Sequence, residues 1–233
     1  MTILTRKISL LEFRKELKNA HVPFEKWKTP KTVEDLHLEV QTELSQVAIV
    51  HKDGGGYGAD RYVKNVLIAV CTVDDDGEIE MLCEKKRSIG NRNVQPRQNS
   101  ICGKMRVGEI DTFAAAIRCI KDKLGIECNF TRVYPRPDEE PLQAAVREIT
   151  EGICPLGTGA IVAIDMYEPG EPTTESYPGL QTFREMHTFI CVIPKDLSPR
   201  QEIVRHSPTK NVVLDWIRVE EDTVSHQLAM GAA

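Results

Sequence analysis

Two stretches of the chain set charged side chains where a helix would gather them. In "GEIDTFAAAIRCIKDKLGI", Gly108 to Ile126, the residues Glu109, Arg118 and Asp122 stand among alanines and aliphatics. In "DEEPLQAAVREITEGI", Asp138 to Ile153, the residues Glu139, Arg147, Glu148 and Glu151 do the same. Residues three or four apart share one face of a helix. Carboxylates on such a face can hold Mg²⁺, which takes oxygen ligands and keeps waters for the phosphates of a substrate. An ion held this way activates a water and neutralises charge on a diphosphate bridge. A glycine ahead of the helix, here Gly103, lets backbone approach a phosphate closely.

Gly103, Gly108-Glu109, Ala115-Ala116, Arg118, Ile120, Asp122, Gly125 and Ile126 together resemble the signature of the Nudix hydrolases. That signature is a glycine, five residues, a glutamate, seven residues, then Arg-Glu-aliphatic-x-Glu-Glu-x-Gly-aliphatic. The resemblance spans residues 60 to 220, from two hairpin strands ahead of the box to "DWIRVEE", which is similar to the family's Trp-bearing last strand. It implies an α/β fold, a Nudix-like α/β/α sandwich with a mixed β-sheet. It also implies divalent-metal-dependent cleavage of the diphosphate bridge in a nucleoside diphosphate-linked compound. The first stretch departs from the pattern. Eight residues separate Glu109 from Arg118, Cys119 stands for the first glutamate, and Asp122-Lys123 stands for the glutamate pair. A cation at Lys123 opposes a divalent metal. The second stretch keeps the spacing from Glu139 to Glu151. It has Val133, Gly152 and Cys154 where the pattern has a glycine, a glutamate and a glycine. One helix keeps the frame and loses ligands; the other keeps ligands and loses the frame.

For the site, the resemblance implies Mg²⁺ or Mn²⁺ on Asp122, Glu148 and Glu151, with Glu109, Arg118 and Glu148 as catalytic groups. Between Glu84 and Ser100 there are five cations and one anion. These residues read either as a solvated loop or as an anion-binding rim of Lys85, Lys86, Arg87, Arg92 and Arg97. "ESYPGLQTF" resembles a Ser-Tyr-Pro-Gly-Leu element of a Nudix-like group with no known activity. Its Pro178-Gly179 is a type II turn signal. Tyr177 reads as a ring to stack on a base or as a packed core residue, and His187 as a phosphate contact or a plain strand residue. The alternative to an enzyme is a non-catalytic module that binds a nucleotide-like or other phosphorylated small molecule, or a protein partner through the N-terminal helices.

The elements that must position these groups follow from periodicity and turn chemistry. Ser9 with Glu12 is a capping box and Thr32 with Asp35 a weaker cap, so residues 1–48 read as a helical N-terminal arm, with Trp27 anchoring the loop between its helices. Residues 49–222 read as the Nudix-like domain and 223–233 as a tail. "YVKNVLIAVCTV" and "EIEMLCEKKRS" are strands about an aspartate-glycine turn at "DDDG", which lacks calcium-loop spacing. Further strands are expected at "AIVHK", "ECNFTRVY", "TGAIVAIDMY", "EMHTFICVIP" and "VVLDWIRVEED", and "EPGEPTTESYPGL" reads as a turn-rich loop. The glycines of "DGGGYGAD" precede no helix and no Lys-Ser/Thr pair, which excludes a phosphate loop.

A formal charge of −5 over 233 residues gives no reason to expect nucleic-acid binding. No apolar run approaches the ~18 residues of a membrane span. Seven cysteines without a C-x-x-C pair read as reduced thiols and favour a cytoplasmic location. The six histidines are too scattered for a zinc site.

Overall fold

The structure is a computed structural model. It describes residues 1–27, 31–52, 54–74, 76–89, 92–94, 96, 101–164, 170–173, 177–198, 202–207, 210–219 and 224. Along the chain run β1 (Thr2–Leu4), α1 (Leu10–Asn19), α2 (Val33–Gln41), β2 (Gln46–His51), β3 (Tyr57–Val73), β4 (Ile79–Ile89), β5 (Arg92–Val94) and β6 (Ile101–Lys104). There follow α3 (Thr112–Leu124), β7 (Asn129–Val133), α4 (Pro141–Thr150), β8 (Thr158–Ile164), β9 (Gly170–Thr173), β10 (Gln181–Pro194), β11 (Ile203–Ser207) and β12 (Lys210–Arg218). The class is α/β with a mixed sheet and, among the described residues, four α-helices. The chain divides into two compact units. One comprises Met1–Asn65, Lys104–Ile110 and Tyr167–Met186; the other comprises Val66–Gly103, Asp111–Met166 and His187–Ala233.

In the first unit the expected capping box forms at α1, and the weaker cap expected at α2 is a full box as well. The Ser9 side chain accepts from the Glu12 N–H while the Glu12 carboxylate accepts from the Ser9 N–H, and Thr32 and Asp35 repeat the exchange at α2. Each box satisfies N–H groups that have no partner within the helix. Phe13 and Leu17 of α1 and Val33, Leu36 and Val40 of α2 are buried with Trp27, Tyr177 and Leu180 in one apolar cluster. β1 pairs antiparallel with β2, and β2 with the first residues of β3, from His51↔Tyr57 to Gln46↔Tyr62. The Trp27 indole N–H donates to the Pro178 carbonyl at 2.8 Å, so the Trp anchors its loop as expected. Pro178-Gly179 turns as the sequence predicts: Leu180 N–H donates to Tyr177 O at 3.0 Å, with Gly179 at φ +81°. The stretch read as a turn-rich loop contains β9, which pairs with β10 at Thr173↔Thr182.

In the second unit the strand order is β11-β12-β4-β3-β10-β8-β7, entering β3 at Val66 and β10 at His187. β7 and β8 are parallel; β8 with β10, β3 with β4, β4 with β12 and β11 with β12 are antiparallel. Val66 through Cys71 are all buried. A strand covered on both faces reads as an unbroken apolar run, which is why this one is so legible in the sequence. Asp74 serves the hairpin turn: Glu78 N–H donates to Asp74 Oδ1 at 2.8 Å, and Gly77 N–H to Asp74 O at 3.0 Å. The expected return strand "EIEMLCEKKRS" forms, so Lys85, Lys86 and Arg87 of the basic stretch lie on β4 and not in a loop: β12 pairs along it from Arg218↔Glu80 to Lys210↔Ile89, and β5 then folds back on its end. Among the described residues no helix is long and apolar enough to cross a membrane.

Candidate functional site

α3 begins at Asp111, whose side chain accepts from the Ala114 N–H, and ends at Gly125 in a left-handed cap. Asp111 also pairs with Arg132 at 2.5 Å. The helix buries Ala115, Ala116, Cys119, Ile120 and Leu124. Cys119 is therefore a core residue. Its thiol occupies the space beside Gly103, where a Cβ on that glycine would lie 2.2 Å from Cys119 Sγ. The space beside the glycine read as an opening for phosphate, on β6, is filled by a side chain of α3. Lys123, one turn further on, is half-buried and donates from Nζ to the Cys102 carbonyl. Burial lowers its pKa, with the nearby Arg205 and Arg118 adding to that effect. Burial likewise raises the Cys119 thiol, so it stays protonated. Asp122 is 63% exposed and stands 4.0 Å from Arg118. Glu109 belongs to the first unit, where its Oε2 accepts from the Arg106 N–H at 2.9 Å.

The second box-like stretch is arranged differently. Pro141 opens α4 at a position that needs no N–H donor. Leu142, Ala144 and Ala145 are buried, which turns Arg147 and Glu148 to the partly exposed face. Arg147 grips Glu139 with two hydrogen bonds, Nε to Oε1 at 2.8 Å and Nη2 to Oε2 at 3.2 Å. Its remaining nitrogen, Nη1, donates to Glu148 Oε1 at 2.7 Å. These bonds, with the Arg136 N–H, hold the Glu139 carboxyl down at about 2. Glu148 Oε2 has no hydrogen-bond partner among the described residues. Glu151, three residues on, is exposed and is the C-cap of α4. Among the described residues no three His, Cys, Asp or Glu side chains form a metal-holding group.

Two cations of the basic rim, Lys85 and Arg87, are engaged by carboxylates of the protein itself. Lys85 Nζ lies 2.7 Å from Glu202 and 2.9 Å from Asp215, which raise its pKa. Arg87 stands 3.7 Å from Glu84, both nearly buried. Lys86 is exposed, Arg92 falls in β5, and Arg97 lies outside the described residues. Tyr177 is fully buried in the first unit. Its ring packs on Trp27 at 4.8 Å between centroids, and the cationic groups of Arg61 and Lys31 lie 5.1 and 5.3 Å from it. A base could stack there only by displacing them. His187 is half-buried on β10 in the second unit.

One cluster has no signal in the sequence. Glu39 of α2 accepts from Arg61 Nη2 at 2.6 Å and Ser45 Oγ at 2.7 Å through Oε2. Its Oε1 lies 2.6 Å from Lys104 Nζ and 3.2 Å from Lys31 Nζ. Burial would raise this carboxyl, but Lys104 and Arg61 outweigh it and hold it at about 2. Burial pushes Lys104 down to about 8 against the pull of Glu39. These residues come from positions 31 to 104, and no local spacing connects them.

Compared with known proteins, the chain matches no family model and no curated protein.

Proposed function

We propose that the second unit is a Nudix-like sandwich whose working helix is α4, and that it hydrolyses the diphosphate bridge of a nucleoside diphosphate-linked compound. The observation that carries this reading is the Arg147 clamp: it fixes Glu139 and Glu148 together and leaves Glu148 Oε2 without a hydrogen bond among the described residues. The β3–β4 hairpin, the helix between β7 and β8 and the Trp-bearing β12 support the sandwich reading. Mg²⁺ needs only one or two carboxylates when substrate phosphates and waters complete its shell, and Glu148 with Glu151 at i+3 supplies that donor set. When bound, such an ion would neutralise the diphosphate and activate water. Arg147 keeps Glu148 in one rotamer, and Glu139 keeps Arg147 in place. On α3 the buried face carries Cys119 and the half-buried Lys123 instead, which suits packing and disfavours a divalent cation. Gly152 offers no further carboxylate, and this favours the second reading, a module that binds a phosphorylated ligand without cleaving it.

Turnover of a nucleoside diphosphate panel with Mg²⁺ or Mn²⁺ tests the assignment. Activity lost with chelator and with Glu148→Gln, but kept with Asp122→Asn, is the expected result; the reverse pattern would assign the site to α3. Ligand-dependent stabilisation without turnover would leave the binding module. Neither turnover nor stabilisation would remove both.

A further inference from the structure

The second unit gathers cations beside α3 that the α4 site does not use. Lys123 and Arg118 come from α3, Arg205 from β11 and Arg87 from β4. Arg205 and Arg87 pair with the same residue of β12, Val212, so the three side chains share one face of the sheet. Two strand spacings set the two arginine backbones roughly 10 Å apart. Lys123 links this face to the helix. Burial lowers its pKa, and Arg205 and Arg118 stand near enough to lower it further. Its half-buried ammonium donates to the Cys102 carbonyl and has no carboxylate partner among the described residues. The Cys119 thiol beside it is kept protonated by burial and supplies no anion. Arg205, also half-buried, has no ion-pair partner among the described residues. Arg118 and Arg87 reach Asp122 and Glu84 at 4.0 and 3.7 Å, longer than a hydrogen bond. The buried Nε of each makes no hydrogen bond among the described residues. Like charges held together out of bulk water repel, and an anion between them relieves that repulsion.

We propose that this cluster binds the phosphate group of a small phosphorylated molecule directly, without a divalent metal. Lys123 then supplies the charge neutralisation that a divalent ion would otherwise give. A phosphate carries close to two charges at neutral pH and offers three strong acceptor oxygens, more than a carboxylate does. Guanidinium groups meet such oxygens in pairs, while an ammonium acts as a point charge. The half-burial of Lys123 and Arg205 suits one compact group more than an extended polyanion. Cys102 and Asp122, both exposed, mark the side open to solvent. The inference stands apart from any hydrolysis at α4.

The experiment titrates inorganic phosphate and pyrophosphate into the full chain by calorimetry with chelator present, against acetate at equal ionic strength. Chelator keeps any metal-held ligand at α4 out of the reading. At least one of the two phosphates should bind, and acetate should bind about tenfold more weakly or worse. Arg205→Gln and Lys123→Met should each weaken binding by about tenfold. Lys121→Gln removes a cation from the exposed face of the same helix, where it pairs with Glu127, and should leave binding unchanged. Thermal melting shows which variants are folded; should Lys123→Met unfold, Arg205→Gln decides. No binding of either phosphate, equal binding of acetate, or binding unchanged in Arg205→Gln would overturn the proposal. Equal weakening by Lys121→Gln would overturn it in favour of general surface charge. Binding that requires added Mg²⁺ would overturn it in favour of a metal-held phosphate.

Discussion

Glu39→Ala should destabilise the protein by about 3–5 kcal/mol, the range for removing one partner of a buried ion pair. The Arg61 side chain is 4% exposed and donates from Nη2 to Glu39 and from Nε to Ser45. Without Glu39 its charge stays buried, and no other carboxylate of the cluster holds it. Lys104 and Lys31 lose the same partner, and Arg61 and Lys31 are left over the Tyr177 ring without that anion. Urea unfolding of the variant measures the effect, and a change under about 1 kcal/mol would show the network to be dispensable. The same group sets a pH dependence. Its folded pKa, about 2, lies below the ordinary value of 4.5, so its stabilisation is complete above that value. It is lost as pH falls from 4.5 through about 2. The shift corresponds to roughly 3 kcal/mol. The acid limb of the stability curve should therefore flatten in Glu39→Gln.

Gly103→Ala should cost about 1–3 kcal/mol, because it forces a methyl group into a filled core. The new Cβ would stand 2.2 Å from Cys119 Sγ and 3.5 Å from a Val66 methyl. Cys119 is 3% exposed on the packed face of α3, so its thiol has little freedom to move aside. The partner substitution decides the cause. Cys119→Ala removes the sulfur, and the double variant should recover part of the loss. The coupling should be about 0.5–3 kcal/mol, as expected for residues in contact. Strict additivity in denaturant unfolding would mean that Gly103 answers to something other than the thiol. Recovery would give a packing reason for a glycine that the sequence presents as part of a phosphate-binding frame.

The two box-like stretches show what the sequence can and cannot carry. Helix positions, caps and hairpin turns are local properties, and Ser9, Thr32, Asp74 and Pro178-Gly179 all announced their roles. The run from Val66 to Cys71 revealed a central strand because burial on both faces leaves no alternation to misread. The pairing of β12 along β4 is non-local, so residues 84–88 could be read from sequence both as the end of a strand and as the start of a basic loop. β1 and β11 are short edge strands set by their partners more than by their own residues. For the site, spacing alone left α3 and α4 as rivals. Which face of α3 is buried depends on Gly103 and Val66, and which oxygens Arg147 engages depends on rotamers that no spacing encodes. The Glu39 cluster draws on Lys31, Ser45, Arg61, Lys104 and Tyr177, residues brought together only by the folded chain.

The apolar cluster that holds α1 and α2 includes Tyr177 and Leu180, which the ribosome adds more than a hundred residues after the helices it covers. At roughly 5–20 residues per second, the N-terminal helices wait on the order of ten seconds for the side chains that complete their core. During that interval Trp27 lacks the Tyr177 ring it packs on and the Pro178 carbonyl its indole donates to. The α1–α2 segment is therefore completed only by residues synthesised long after it, and nascent chains stalled short of Tyr177 would be natural clients for chaperones and proteases.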